Sequence, residues 1–183
     1  MGSDCSRSNP FGVVKVVFSP EVFERMKQTI GSVIPESGGA LFGKRATIRS
    51  PLPYITDFVF DADAKCTLIE YEPNFDYLNP VREEKWNNHS LELQGVAHSH
   101  PSRCRPSSDD LECLRSMFSS TDIPFFVAPI IYSKFIGDFK LFCYLVGPDE
   151  HTPAYRVDYR IMNEEEYKKA ISELDVAGIT PYI

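Results

Sequence analysis

The sequence predicts an α/β fold: one domain with a central mixed β-sheet and flanking helices. Three observations carry this. Short runs rich in β-branched and aromatic residues recur along the chain, and segments with helical spacing of apolar residues lie between them. The 183 residues are enough for one substantial core and too few for two. No internal repeat or low-complexity segment interrupts the pattern.

Residues 1–10 contain no hydrophobic stretch and read as a disordered leader, with the folded domain expected over 11–183. Gly2 with Ser6 fits a myristoylation pattern that chance often produces. The run Phe11 to Phe18 has strand composition. Ser19-Pro20 supplies an N-cap and a first-turn proline, and Val22, Phe23, Met26 and Ile30 then recur at helical spacing. The breakers Pro35 to Gly39 end that helix before a strand at Ala40 to Gly43. Leu52 to Phe60 reads as a further strand, and residues 62–74 have no strong period. Phe75 to His89 reads as an amphipathic helix interrupted near Pro80. The strand 93–100 precedes a loop and a helix from Ser107 to Phe118, with Leu111, Leu114, Met117 and Phe118 on one face. Two long apolar runs, 125–132 and 139–146, suggest paired strands, and 155–162 alternates as a half-buried strand does. Asn163 can cap a last helix over 164–174, whose acidic first turn suits its dipole.

Composition excludes several classes of function. With 43% hydrophobic and 25% charged residues the chain is of ordinary globular type, and no window is apolar enough to span a membrane. A net charge of −7 without a basic cluster argues against nucleic acid as a partner; Lys44-Arg45 with Arg49 is the densest basic group. The five cysteines form no C-x-x-C pair, which favours reduced thiols and a cytoplasmic location.

The chemistry is concentrated in Gly95-Val-Ala-His98-Ser-His100-Pro101 and the Pro106-Ser107-Ser-Asp109-Asp110 that follows. Alternate strand residues share a face about 6.8 Å apart, so the imidazoles of His98 and His100 can converge on one ion. Asp110, at a helix start, can complete a set of two histidines and a carboxylate, which leaves a fourth zinc position open as in catalytic sites. Each piece also has an ordinary explanation. His-x-His alone fits a core histidine beside an exposed one, and Ser-x-x-Asp is a capping box with no chemistry attached. Glu36 before Ser37-Gly38-Gly39 is, alone, a surface acid beside a backbone that can approach a neighbour closely.

Together, Glu36-Ser-Gly-Gly, His98-Ser-His100-Pro101 and Ser107-x-x-Asp110 resemble the JAMM (JAB/MPN) zinc metalloprotease family, in its bacterial JAB-type form. The resemblance runs from residue 11 to about 147. It implies a single-domain MPN/JAB, cytidine-deaminase-like fold. The family has seven residues between the second histidine and the serine, whereas Pro101 to Pro106 is six. Counting seven would select Ser108 and place Leu111 at the ligand position, so Ser107 with Asp110 is the better register, with Asp109 as a competing ligand.

What the resemblance implies is one Zn2+ per chain, held by His98, His100 and Asp110, with Glu36 as general base and Ser107 as oxyanion donor. Cys104, in the metal loop, lacks an evident base and reads as incidental. The implied substrate is a ubiquitin-like protein or its conjugate, cut after a C-terminal tail that enters as an extended strand. Segments 44–52 and 62–92 are the candidate substrate surface, with Trp86 and His89 as core or rim residues. The bacterial members further imply E1-like and E2-like partners of an antiphage conjugation system. Alternatives within the resemblance are a sulfur-carrier-processing protease, a non-catalytic MPN scaffold and a DNA-repair-associated relative.

Overall fold

The computed structural model describes residues 9–32, 36–44, 52–67, 70–132 and 139–175. Cys5 and the Gly2/Ser6 pair, Pro35, Arg45, Arg49 and residues 45–51 of the candidate substrate surface lie outside them. The strands are β1 (Lys15–Phe18), β2 (Gly38–Lys44), β3 (Tyr54–Phe60), β4 (Lys65–Cys66), β5 (Tyr71–Glu72), β6 (Glu92–His100), β7 (Phe126–Tyr132), β8 (Lys140–Val146) and β9 (Tyr155–Ile161). The helices are α1 (Pro20–Thr29), α2 (Phe75–His89), α3 (Ser108–Ser116) and α4 (Glu164–Asp175). None is long and apolar enough to cross a membrane.

Seven strands close into a barrel in the order β1-β3-β2-β6-β7-β8-β9, and β4 with β5 forms a separate ribbon. This corrects the expected MPN/JAB, cytidine-deaminase-like arrangement of a central sheet with flanking helices. The closing contact is made by β1, which pairs in parallel with β3 on one side and with β9 on the other, from Lys15↔Asp158 to Phe18↔Ile161. Closure leaves no open edge, which an alternating strand such as β9 otherwise exposes to solvent. The pairing joins opposite ends of the chain, and no local periodicity signals it.

The main core cluster takes residues from all seven barrel strands, among them Phe18, Leu41, Phe58, Ala97, Val127, Leu145 and Val157, and α1 adds Val22 and Met26. The entry to α1 is as expected: Ser19 caps it by accepting the Val22 N–H, with Pro20 next. The opposite faces of β6, β7 and β8 carry Val96, Phe126, Ile130 and Val146 and are covered by Leu114 of α3. Ala40 and Phe42 on the outside of β2 pack against Leu78 of α2. Helix α2 is continuous through Pro80, contrary to the expected interruption, because a single proline removes only one intrahelical donor. The segment without periodicity, 62–74, contains the β4–β5 ribbon, whose two-residue strands are too short to show a pattern.

One irregularity in β6 decides where the site forms. Leu41 pairs with Gly95 but Phe42 pairs with Leu93, so Gln94 is an extra residue in β6. The bulge puts Leu93 and Val96, three apart, against the same outer cluster. Without it, strict alternation from Leu93 would turn positions 96, 98 and 100 into the barrel.

Candidate metal centre

From Val96 onward β6 alternates outward, inward, outward, so His98 and His100 leave the barrel on the side of α3. Both rings are buried, at 3% and 1% exposure, at the end of the strand. Helix α3 brings the acid. Ser107 is its N-cap and forms both halves of a capping box: Asp110 N–H donates to Ser107 Oγ at 3.1 Å, and Ser107 N–H donates to Asp110 Oδ2 at 2.5 Å. The capping box and the ligand role therefore coexist. The cap turns the Asp110 carboxylate toward the histidines, while the exposed Asp109 interacts with Ser108.

The three groups sit at the corners of a small triangle. His98 Nε2 is 3.1 Å from His100 Nε2, His98 Nε2 is 3.2 Å from Asp110 Oδ1, and His100 Nε2 is 3.0 Å from Asp110 Oδ2. A tetrahedral ion with bonds of ~2.0–2.1 Å has ligand–ligand edges of ~3.3 Å; the two imidazoles meet different oxygens of Asp110, and one ligand atom from each of the three residues lies within 4.8 Å of the others. Among the described residues, His98, His100 and Asp110 are the group able to hold a metal ion.

Glu36, 3% exposed, enters from the other side of β6. Its Oε1 lies 2.9 Å from His100 Nδ1, the ring nitrogen that faces away from Asp110. A proton on Nδ1 donated to this carboxylate leaves the Nε2 lone pair free for a metal, the carboxylate–histidine arrangement that fixes tautomer and ring angle. Ser99 holds Glu36 in place through its neighbour. Ser37 N–H donates to Ser99 Oγ at 3.0 Å, and Ser99 N–H donates to Ser37 O at 2.9 Å, extending the β2–β6 ladder past Gly38↔His98. The two glycines permit the close approach. A Cβ on Gly38 would lie 2.5 Å from the Tyr71 ring, and one on Gly39 would lie 2.3 Å from the Val59 carbonyl oxygen.

Tyr71 stacks on His98, with ring centroids 6.0 Å apart and planes at 20°. Its hydroxyl donates to Asp61 Oδ2 at 3.1 Å, and the Asn74 N–H at the start of α2 donates to the same oxygen at 2.7 Å. Asp61 thus ties β3, β5 and α2 together behind the histidines. Burial raises the Asp61 carboxyl pKa against these two hydrogen bonds, and it raises that of the Tyr71 phenol, with the Asp61 charge adding to the rise. Sequence reasoning missed Tyr71, Asp61, Ser99 and the Gly95 bulge. Ser99, inside the His-x-His stretch, and Gly95, a lone glycine within a strand run, carried a local signal.

The electrostatics of the cluster favour charge separation. Burial raises the Asp110 carboxyl pKa, but hydrogen bonds from His100, His98 and the Ser107 N–H outweigh it and hold the acid far below the usual range. Burial lowers the His100 pKa, but Asp110 and then Glu36 outweigh it and hold it above 6.5. Metal binding through Nε2 must displace a proton from this imidazole. The His100 contribution to the stability of the metal-free form is present below 6.5 and lost as pH rises through the raised value. The affinity of this group for a metal ion is expected to have the opposite sign. It is expected to rise with pH by up to about tenfold per unit until His100 has lost its proton, as read by chelator competition.

A cavity of about 200 Å³ opens beside His98 and Asp110, bounded by Tyr71, Val96, Ser107 and Leu114. Glu70 to Pro73, within the expected substrate segment 62–92, line its rim. Trp86 is 55% exposed on α2, and His89 lies at that helix's last turn, 3.8 Å from Glu84. Cys104 is exposed in the loop after β6, and Tyr144 O–H donates to its carbonyl at 2.8 Å, which anchors the short loop to β8. Cys113 lines the cavity, but burial and then the charges of Asp110 and Glu72 push its thiol up to about 11, which disfavours the thiolate there.

No protein-family model and no curated protein matches the chain. Its fold is shared. The solution structure of protein DSY2949 from Desulfitobacterium hafniense superposes with a TM-score of 0.62 at 15% identity, covering 83% of this chain and 97% of that one. At that identity the likeness concerns the fold alone.

Proposed function

We propose that the chain is a zinc-dependent peptidase or isopeptidase with a JAMM-type site, hydrolysing the bond after the C-terminal tail of a ubiquitin-like protein. The observation that carries this reading is the convergence of His98, His100 and Asp110 on one point with Glu36 buried against His100. Zinc is the metal the donor set favours: two imidazoles and one carboxylate with a fourth position open match catalytic zinc sites. When bound there, zinc polarises a carbonyl and brings the acidity of water close to neutral pH.

The chain's own residues supply the remainder. Glu36 would accept the proton of the attacking water on the carboxylate oxygen not bonded to His100 Nδ1 and deliver it to the leaving amine as the C–N bond breaks, so that one carboxylate serves both half-steps. Ser107 Oγ accepts the Asp110 N–H and keeps its own hydrogen, which it donates to the developing oxyanion, worth ~3 kcal/mol in comparable sites. Tyr71 and Val96 form an apolar wall that keeps water from the back of His98. The β4–β5 ribbon pairs with no other strand among the described residues, so β5 offers an edge beside the cavity along which an extended tail can lie. The described cysteines Cys66, Cys104, Cys113 and Cys143 are all free, which supports a reducing, cytoplasmic setting shared with E1-like and E2-like partners.

The test is cleavage of fusions in which ubiquitin-like proteins of antiphage conjugation systems, or sulfur carriers, precede a reporter at a terminal Gly-Gly. The zinc-loaded protein is expected to release the reporter, and the chelated protein is not. A fully zinc-loaded protein that cuts none of them, nor the corresponding lysine conjugates, would sink the enzyme reading in favour of a non-catalytic scaffold.

A further inference from the structure

Seven arginines lie among the described residues, and five are engaged. Arg25 pairs with Asp57, Arg82 donates to Ser120, Arg115 donates to the Thr152 carbonyl, Arg156 lies over the Phe142 ring and Arg160 pairs with Glu166. Arg103 and Arg105 make no hydrogen bond or ion pair with the described residues and are exposed on the loop between His100 and Ser107. An acidic protein with net charge −7 has ample carboxylates to pair them, yet leaves both open beside its candidate active site.

Their setting is a built one. A second cavity, about 370 Å³, adjoins the metal cavity and is lined by Arg103, Arg105, Ser107 and Tyr144 among others. Arg103, Ser107 and Ser108 line both cavities, so the two meet over the serine proposed as oxyanion donor. The Tyr144 hydroxyl, 2.8 Å from the Cys104 carbonyl, fixes the backbone between the two arginines and reduces the ordering that binding would otherwise require. The walls differ in sign. Glu70, Glu72 and Asp109 line the metal cavity alone, Arg105 lines the second cavity alone, and Arg103 stands where the two meet.

We propose that Arg103 and Arg105 form a specificity subsite for carboxylate side chains on the leaving-amine side of the cleaved bond. The placement rests on the hydrolase reading, in which the tail occupies the metal cavity along β5. The residues beyond the bond then cross Ser107 into the arginine-lined cavity. The guanidinium fork matches a carboxylate, and its field also orients the incoming chain, since acidic residues are repelled from the Glu70/Glu72 side. The target is therefore a polypeptide whose residues next to the bond include Asp or Glu.

The experiment compares two peptides, acetyl-Gly-Gly-Asp-Glu-Ala-amide and acetyl-Gly-Gly-Asn-Gln-Ala-amide, titrated into the zinc-loaded full chain and followed by amide NMR and by product analysis. The acidic peptide is expected to bind about tenfold more tightly at low salt, with shifts centred on residues 103–108 and a preference that salt erodes. The Arg103→Ala/Arg105→Ala double variant removes the preference without weakening the neutral peptide, and the Lys/Lys double variant restores part of it. Equal binding of the two peptides, or a preference that survives in the double alanine variant, overturns the subsite. The two readings fail separately. An arginine-dependent preference in a protein that cuts neither the fusions nor the lysine conjugates retires the hydrolase and leaves a binding site for acidic peptides, whereas cleavage of both peptides with equal KM retires the subsite and leaves the hydrolase.

Discussion

Replacing Glu36 with glutamine is expected to lower kcat by about 10²- to 10⁴-fold while zinc affinity stays within a few-fold of the parent, because the two functions proposed for this side chain separate in that variant. The glutamine carbonyl can still accept the His100 Nδ1 hydrogen across the 2.9 Å contact, so the tautomer that presents Nε2 is kept. What it cannot do is take a proton. Glu36→Ala loses both, and zinc affinity is then expected to fall by about 10- to 100-fold as the ring loses its orientation. Parallel zinc titration and steady-state kinetics read the two effects. A Glu36→Gln enzyme with parent kcat would make Glu36 a positioning residue only.

Gly95→Ala is expected to destabilise the fold by about 3–4 kcal/mol, a fall in Tm of roughly 10 °C for a chain of this size. The added Cβ would lie 1.8 Å from the Val127 carbonyl oxygen, in a backbone with φ +155°, and both belong to paired strands that cannot separate cheaply. The loss is not only of stability. Relief by removing the bulge would shift β6 by one residue and turn His98 and His100 inward, so zinc binding should weaken by more than the Tm change alone accounts for. Thermal unfolding and zinc titration of the same preparation test this. A Gly95→Ala protein with parent Tm and parent zinc affinity would refute the role given to the bulge.

Local chemistry was legible where local rules decide the outcome. Ser19 with Pro20, and Asn163, whose side chain accepts the Glu166 N–H, could be read from capping, whereas α2 has the expected span without the expected interruption at Pro80. The register argument chose Ser107 with Asp110 over Ser108 with Leu111 and left Asp109 as a competing ligand; the capping box separates the two acids by turning Asp110 inward. Non-local features were not legible. Barrel closure depends on β1 reaching β9 across nearly the whole chain, and any count of strands is the same for an open and a closed sheet. Tyr71 sits in a two-residue strand, and its importance comes from stacking on His98, a contact between residues with no shared pattern. Apart from Gly95, the bulge hid behind a sequence that reads as a plain strand. There the backbone changes parity without changing composition.

Metal analysis after exhaustive dialysis against limiting zinc reads out whether His98, His100 and Asp110 bind one catalytic metal. One zinc per chain is expected in the parent protein. A loss of affinity of at least about 100-fold is expected in Asp110→Asn, where the amide oxygen preserves the cap on Ser107 but the ligand charge is gone. A folded parent protein that takes up no zinc, or an Asp110→Asn variant that retains it at parent affinity, would mean that these three residues do not hold the metal.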